Sequence, residues 1–211
     1  MANSLAQRPI SDARIGRWLE ELAESDGNPG GGAAAALMLA AAAALMSMSG
    51  GYVSASGTAQ SELTGLLARA KQLRLDALAM ADRDARASAE FGVAYAQPAS
   101  EQRDRRLAQA CLQAAKSSAA LGALAMTALD DLRWLSQQAK PQLVADVATA
   151  LGMLSAVLKA ASSNLRYDLS QLASGTAQVK HAGLWDTAAS LDRAMKNAGQ
   201  LAARIDARIK R

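Results

Sequence analysis

The sequence predicts an all-α protein, an up-and-down bundle of about six mostly long antiparallel helices. Three observations carry that expectation. Alanine occupies 52 of the 211 positions, and with leucine, arginine and glutamine it favours helix. Aromatic residues make up only 3% of the chain and β-branched residues are few, which disfavours a sheet. The four prolines all fall between stretches of helical periodicity and none falls inside one.

The elements follow in order. Pro9 precedes Ser11-Asp12, a cap for a short helix striped by Ile15, Trp18, Leu19 and Leu22. Asn28-Pro29-Gly30-Gly31-Gly32 opens an alanine-rich helix that ends near Gly50-Gly51. A long helix is expected from about Ala59 to Gln97, and Pro98 separates it from another. Pro141 starts a further helix at the first-turn position that proline tolerates. A break falls at Ser174-Gly175, and a last helix runs from about Leu184 to Ile209. Three of these helices should be about 30 residues or longer, and such lengths with short turns pack antiparallel. Residues 1–211 therefore read as a single domain.

The same composition narrows function. The single histidine, His181, excludes multi-histidine metal sites, and the single cysteine, Cys111, excludes an internal disulfide or a cysteine-built metal centre. No metal is expected. A net charge of +4 with so few aromatics argues against nucleic acid as a partner. Charged residues at Arg8, Asp12, Arg14 and Arg17 interrupt any secretory leader. From Gly27 to Ser61 no residue is charged, but the apolar run Ala33–Met48 is shorter than a membrane span requires. It reads as a core helix, and the protein as cytoplasmic with no membrane partner.

With histidine nearly absent, a general base must be a carboxylate, a lysine or a water held by one. In the third helix Leu66, Leu73, Ala77, Met80, Phe91 and Tyr95 form an apolar stripe. Asp84 lies 18 residues after Leu66, five full turns, and so falls on that stripe. It either pairs with an arginine of a neighbouring helix or serves chemistry with a raised pKa. Asp82 faces elsewhere and can pair with Arg86 as a solvated charge. Asp146 is the only charged residue between Pro141 and Leu158, and either complements the helix dipole or works in a site. Asn164 lies 18 residues beyond it on the same face, about 27 Å away along a continuous helix. The glycines Gly30, Gly31 and Gly32 leave backbone N–H groups open at a helix start, which is either an anion site or a sharp turn. His181 reads as a surface residue and Cys111 as a small core residue.

Taken in order, these features resemble the formiminotetrahydrofolate cyclodeaminase / methenyltetrahydrofolate cyclohydrolase family. The resemblance covers nearly the whole chain. It rests on Pro29–Gly32 before the alanine-rich helix, Asp84 fourteen residues before Pro98, Ala145-Asp146-Val147-Ala148, and Ala161-Ser-Ser-Asn164-Leu-Arg166. It implies an all-helical homodimer acting on a tetrahydrofolate one-carbon adduct as substrate, with no tightly bound cofactor. It further implies Asp84 and Asp146 as catalytic residues, and Gly30, Gly31, Gly32, Asn164 and Arg166 as substrate-binding residues.

Four positions depart from the family pattern. Ala33 replaces a small polar residue, Ser54–Gln60 is uncharged where lysines are usual, Gln97-Pro98-Ala99 replaces Leu-Pro-Lys, and Asp168 replaces an asparagine. The resemblance leaves cyclohydrolase and cyclodeaminase open, and the absence of a formiminotransferase domain from these 211 residues tilts toward the former. The departures keep two alternatives: a non-catalytic or substrate-altered relative, and a helical interaction scaffold.

Overall fold

Alanine sets how closely these helices approach. The computed structural model describes residues 14–25, 28–172 and 181–210. Six α-helices lie among them: α1 (Ile15–Ala23), α2 (Gly31–Gly51), α3 (Thr58–Tyr95), α4 (Glu101–Gln138), α5 (Val144–Gln171) and α6 (Ala182–Ile209). A 3-10 turn over Pro141–Leu143 leads into α5, so the proline sits at a helix start as expected. The expected Ser11-Asp12 cap and the Ser174-Gly175 break lie outside the described residues.

Only α3 and α4 exceed 30 residues, at 38 each and about 57 Å long. The third expected long helix is α5, which has 28 residues because its first turn is 3-10. Helix α2 packs between α3 and α5, and α4 packs along α5. Leu39, Ala43 and Met46 of α2 meet a core continued by Leu66 and Ala77 of α3, Leu132 of α4, and Leu151, Leu154 and Leu158 of α5. Each buried leucine contributes roughly 1.5–3 kcal/mol. By length and composition α2 and Pro141–Gln171 are both apolar enough to cross a bilayer.

Small residues and ion pairs fix the spacing. At Gly122 of α4 an added Cβ would fall 2.9 Å from Leu191 Cδ1, so α6 rests directly on the α4 backbone. Ser100 caps α4 by accepting the Arg103 backbone N–H at 3.2 Å. Arg69 of α3 holds buried Asp131 of α4 with Nη2 at 2.6 Å and Nε at 3.1 Å. Arg208 of α6 donates to the Ser136 and Ala139 carbonyls, satisfying the end of α4.

The stripe expected on α1 is only half buried. Trp18 is 5% exposed and Leu22 packs on the core, but Ile15 and Leu19 are exposed at 69% and 51%. A nine-residue helix presents one narrow side to the bundle, and these two residues face away from it.

Candidate functional site

The start of α2 and the middle of α3 build the site together. Gly30 is the extended residue before the helix, and Gly31 and Gly32 form its first turn. Asp84 reaches from α3 onto this end, where the Ala33 backbone N–H donates to its carboxylate. A Cβ at position 32 would lie 2.6 Å from both Cγ and Oδ2 of Asp84. Glycine at 32 is therefore what lets the carboxylate seat on the helix end. The open N–H groups and positive dipole end expected for an anion are met by a carboxylate of the same chain.

Beyond Asp84 the stripe of α3 changes character. Leu66, Leu73, Ala77 and Met80 enter the core, whereas Phe91 and Tyr95 are 39% and 63% exposed. Together with α4 and the end of α5 they enclose an open cavity of about 680 Å³. Its walls are Asp84, Ser88, Phe91 and Tyr95 of α3, Asp104, Leu107 and Cys111 of α4, and Tyr167, Asp168 and Gln171 of α5, with small residues between. The Phe91 and Tyr95 rings stack at 6.2 Å, and the Arg103 guanidinium lies 5.4 Å from the Tyr95 ring centre. Among the described residues no lysine or arginine lines the cavity.

Two carboxyls thus share one partly buried space. Asp84 is raised above the ordinary carboxylate range by burial, and the Ala33 N–H moderates the rise. Asp168 is pushed up to about 6, first by burial and then by the charge of Asp84. Cys111, opposite them, is raised by burial and by Asp168, so its thiol stays protonated. A carboxyl seated on a backbone N–H beside a second one, both drawn toward their protonated forms, is a pair that can take up and return protons.

The other expected site residues are placed elsewhere. Asp146 lies in the first turn of α5, 22 residues before Asp168 and so about 33 Å from it along the helix. Because α5 is unbroken from Val144 to Gln171, Asp146 and Asn164 stay about 27 Å apart. Asn164 is partly buried one turn before Asp168 and does not line the cavity. Arg166 turns to α6, where Nη2 meets Asp192 Oδ2 at 2.5 Å; Ser162 donates to the same carboxylate at 3.3 Å. The residue missed as a site member is Asp168. Its signal was its place four residues after Asn164, at a position already marked as a departure.

Comparison with known proteins bears on the family and the fold. A family profile described as Formiminotransferase-cyclodeaminase matches residues 14–181. A search of the curated proteins finds no match. The fold is similar to that of a solved formiminotetrahydrofolate cyclodeaminase from Thermotoga maritima, with a TM-score of 0.80 and 18% sequence identity. That match covers 93% of this chain and 96% of the other.

Proposed function

The chain belongs to the formiminotransferase-cyclodeaminase family, and from that premise we propose that it performs one-carbon chemistry on a tetrahydrofolate adduct held in the α3–α4–α5 cavity. The observation that carries this reading is Asp84, seated on the Ala33 N–H and facing the cavity beside Asp168.

In the cyclohydrolase direction, water attacks the amidinium carbon of methenyltetrahydrofolate. One water proton passes to Asp84 as the C–O bond forms. The C–N5 bond then breaks with its electron pair going to N5, which takes that proton back from Asp84. The remaining hydroxyl proton passes to Asp168 as the formyl carbonyl forms. In the cyclodeaminase direction, N10 attacks the formimino carbon and gives its proton to Asp84. That proton and the one on Asp168 both pass to the formimino nitrogen, which leaves as ammonia. The product is the methenyl cation, facing two carboxylates. Both directions need protons taken up and given back in turn, and the cavity offers two carboxyls to do so.

Gly30, Gly31 and Gly32 in this reading serve the substrate through Asp84. Asp146 is too far along α5 to act in the same chain's cavity, so a part in catalysis requires a second copy. The exposed Ile15 and Leu19 of α1 and Val93 of α3 support a homodimer, checked by light scattering on the purified protein. The single buried cysteine fits a cytoplasmic enzyme.

The test is turnover of methenyl- and formiminotetrahydrofolate by wild type and by Asp84→Asn. Wild type is expected to turn over at least one of them and Asp84→Asn to lose that activity. Equal rates in both proteins remove Asp84 from the mechanism. Folate binding without turnover by wild type selects the non-catalytic relative instead.

A further inference from the structure

The cavity is unusual in what its walls lack. Within about 680 Å³ it presents three carboxyls, Asp84, Asp104 and Asp168, and three aromatic rings, Phe91, Tyr95 and Tyr167. No basic side chain among the described residues enters it. Arg103 lies on Tyr95 and shares its charge with Asp104 at 3.5 Å. The Ala33 N–H answers Asp84, whereas Asp168 has no hydrogen-bond or ion-pair partner among the described residues. The volume suits a small organic molecule, and apolar rings are poor partners for a bare metal ion.

We propose that this cavity is a receptor for flat organic cations of the amidinium or guanidinium class, held between Asp84 and Asp168 and stacked against the exposed Tyr167. Amidinium N–H groups fork onto carboxylates in charge-assisted pairs, and a ring face adds attraction for the same charge. The proposal rests on the folate reading in that a methenyl adduct carries such a cation. It goes further in making charge and flatness, rather than the rest of the folate, what the cavity selects.

A consequence follows for protons. Among the described residues, the titratable groups that share the cavity with Asp168 are Asp84 and Tyr95 from α3, Asp104 and Cys111 from α4, and Tyr167 on its own helix; α2 contributes the Ala33 N–H to Asp84. Among the described residues none of these is a cation, and burial followed by the charge of Asp84 pushes Asp168 up to about 6. An entering cation favours the carboxylate and displaces its proton. Binding therefore tightens as pH rises and levels off above the titration of Asp168.

The experiment is calorimetric titration of the full chain with benzamidinium and with its neutral isostere benzamide, in two buffers of different ionisation heat. Benzamidinium is expected to bind roughly tenfold tighter at about pH 7 than at about pH 5, releasing about one proton at the lower pH. Benzamide is expected not to saturate the site. Asp168→Asn should weaken cation binding and flatten its pH dependence, with a single cooperative thermal transition as the folding control. Tyr167→Leu, at a position 66% exposed and so tolerant of change, should weaken binding several-fold at every pH.

Equal binding of benzamide and benzamidinium, no binding of benzamidinium to wild type, or an unchanged pH dependence in Asp168→Asn overturns the proposal. A wild type that binds benzamidinium as expected but neither binds nor turns over a folate adduct keeps the cation receptor and sinks the folate reading. Folate turnover without cation preference does the reverse.

Discussion

Asp131 and Asp168 both turn a carboxyl inward from a long helix, and the bundle treats them in opposite ways. Asp131, 6% exposed, is met by the Arg69 guanidinium on both oxygens, and that carboxylate in turn raises the Arg69 pKa. Asp168 is met by a second acid, Asp84, and is raised to about 6. Burying a charge costs several kcal/mol unless it is paired, and at Asp131 pairing offsets that cost while tying α3 to α4. At Asp168 the cost is left standing, beside an open cavity. A pair of acids that no cation meets among the described residues does not tie helices together, which separates a fastening from a site.

The largest expected effect that separates the two regions is on catalysis. Asp84→Asn keeps an acceptor for the Ala33 N–H but removes the base, and should lower turnover by roughly 10²–10⁴-fold. Its melting temperature should hold or rise, because a partly buried charge has gone. Gly32→Ala comes next. Its Cβ would overlap the Asp84 carboxyl, so Asp84 must leave the helix end. Stability should fall by about 1–3 kcal/mol, the usual cost of overpacking. Turnover should drop by roughly 100-fold, the scale set by misplacing a catalytic group. Steady-state kinetics alongside urea unfolding reads both, and a fully active Gly32→Ala would show that the seating of Asp84 is dispensable.

How much of this was legible before folding differs by residue. The helix order was legible because prolines and periodicity mark boundaries locally, and Ala182–Ile209 and Thr58–Tyr95 start and end within two residues of expectation. Asp84 was legible because 18 residues from Leu66 is a whole number of turns. Asp168 was not singled out as a site residue, because recognising it requires knowing which face of α5 turns to α3, and that is set by packing. Arg166 shows the same limit. Two residues from Asp168, it points to α6, where Asp192 holds it. The glycines at 30–32 were legible as a special turn, but the occupant of that turn comes from 52 residues further along the chain, where no local pattern announces it.

The fastening should fail through stability alone. Arg69→Met leaves Asp131 buried without its cation and should cost about 2 kcal/mol, below the value for a fully buried pair because Arg69 is half exposed. Urea midpoints read the loss, while folate turnover and benzamidinium affinity should match wild type. A change in either would mean the clamp and the cavity are coupled through α3.

The smallest effect is the most diagnostic, because its sign is opposite to that of an ordinary paired acid. Asp168 binds its proton more tightly folded than unfolded, with the folded value near 6 against an ordinary 3.8. Between those values the native state carries the extra proton, so unfolding free energy falls as pH rises. The stabilisation is fully present below the unfolded value and is lost as pH climbs through about 6. Because Asp168 is only partly buried, solvent screening should hold the change to about 1 kcal/mol. Subtracting the Asp168→Asn stability curve from that of wild type cancels the titrating groups that do not interact with Asp168. The difference should decline from about pH 4 to about pH 6 and stay flat above. A difference that rises over the same range would be the signature of a carboxylate paired with a cation, and would mean that a cation meets Asp168 in the folded chain.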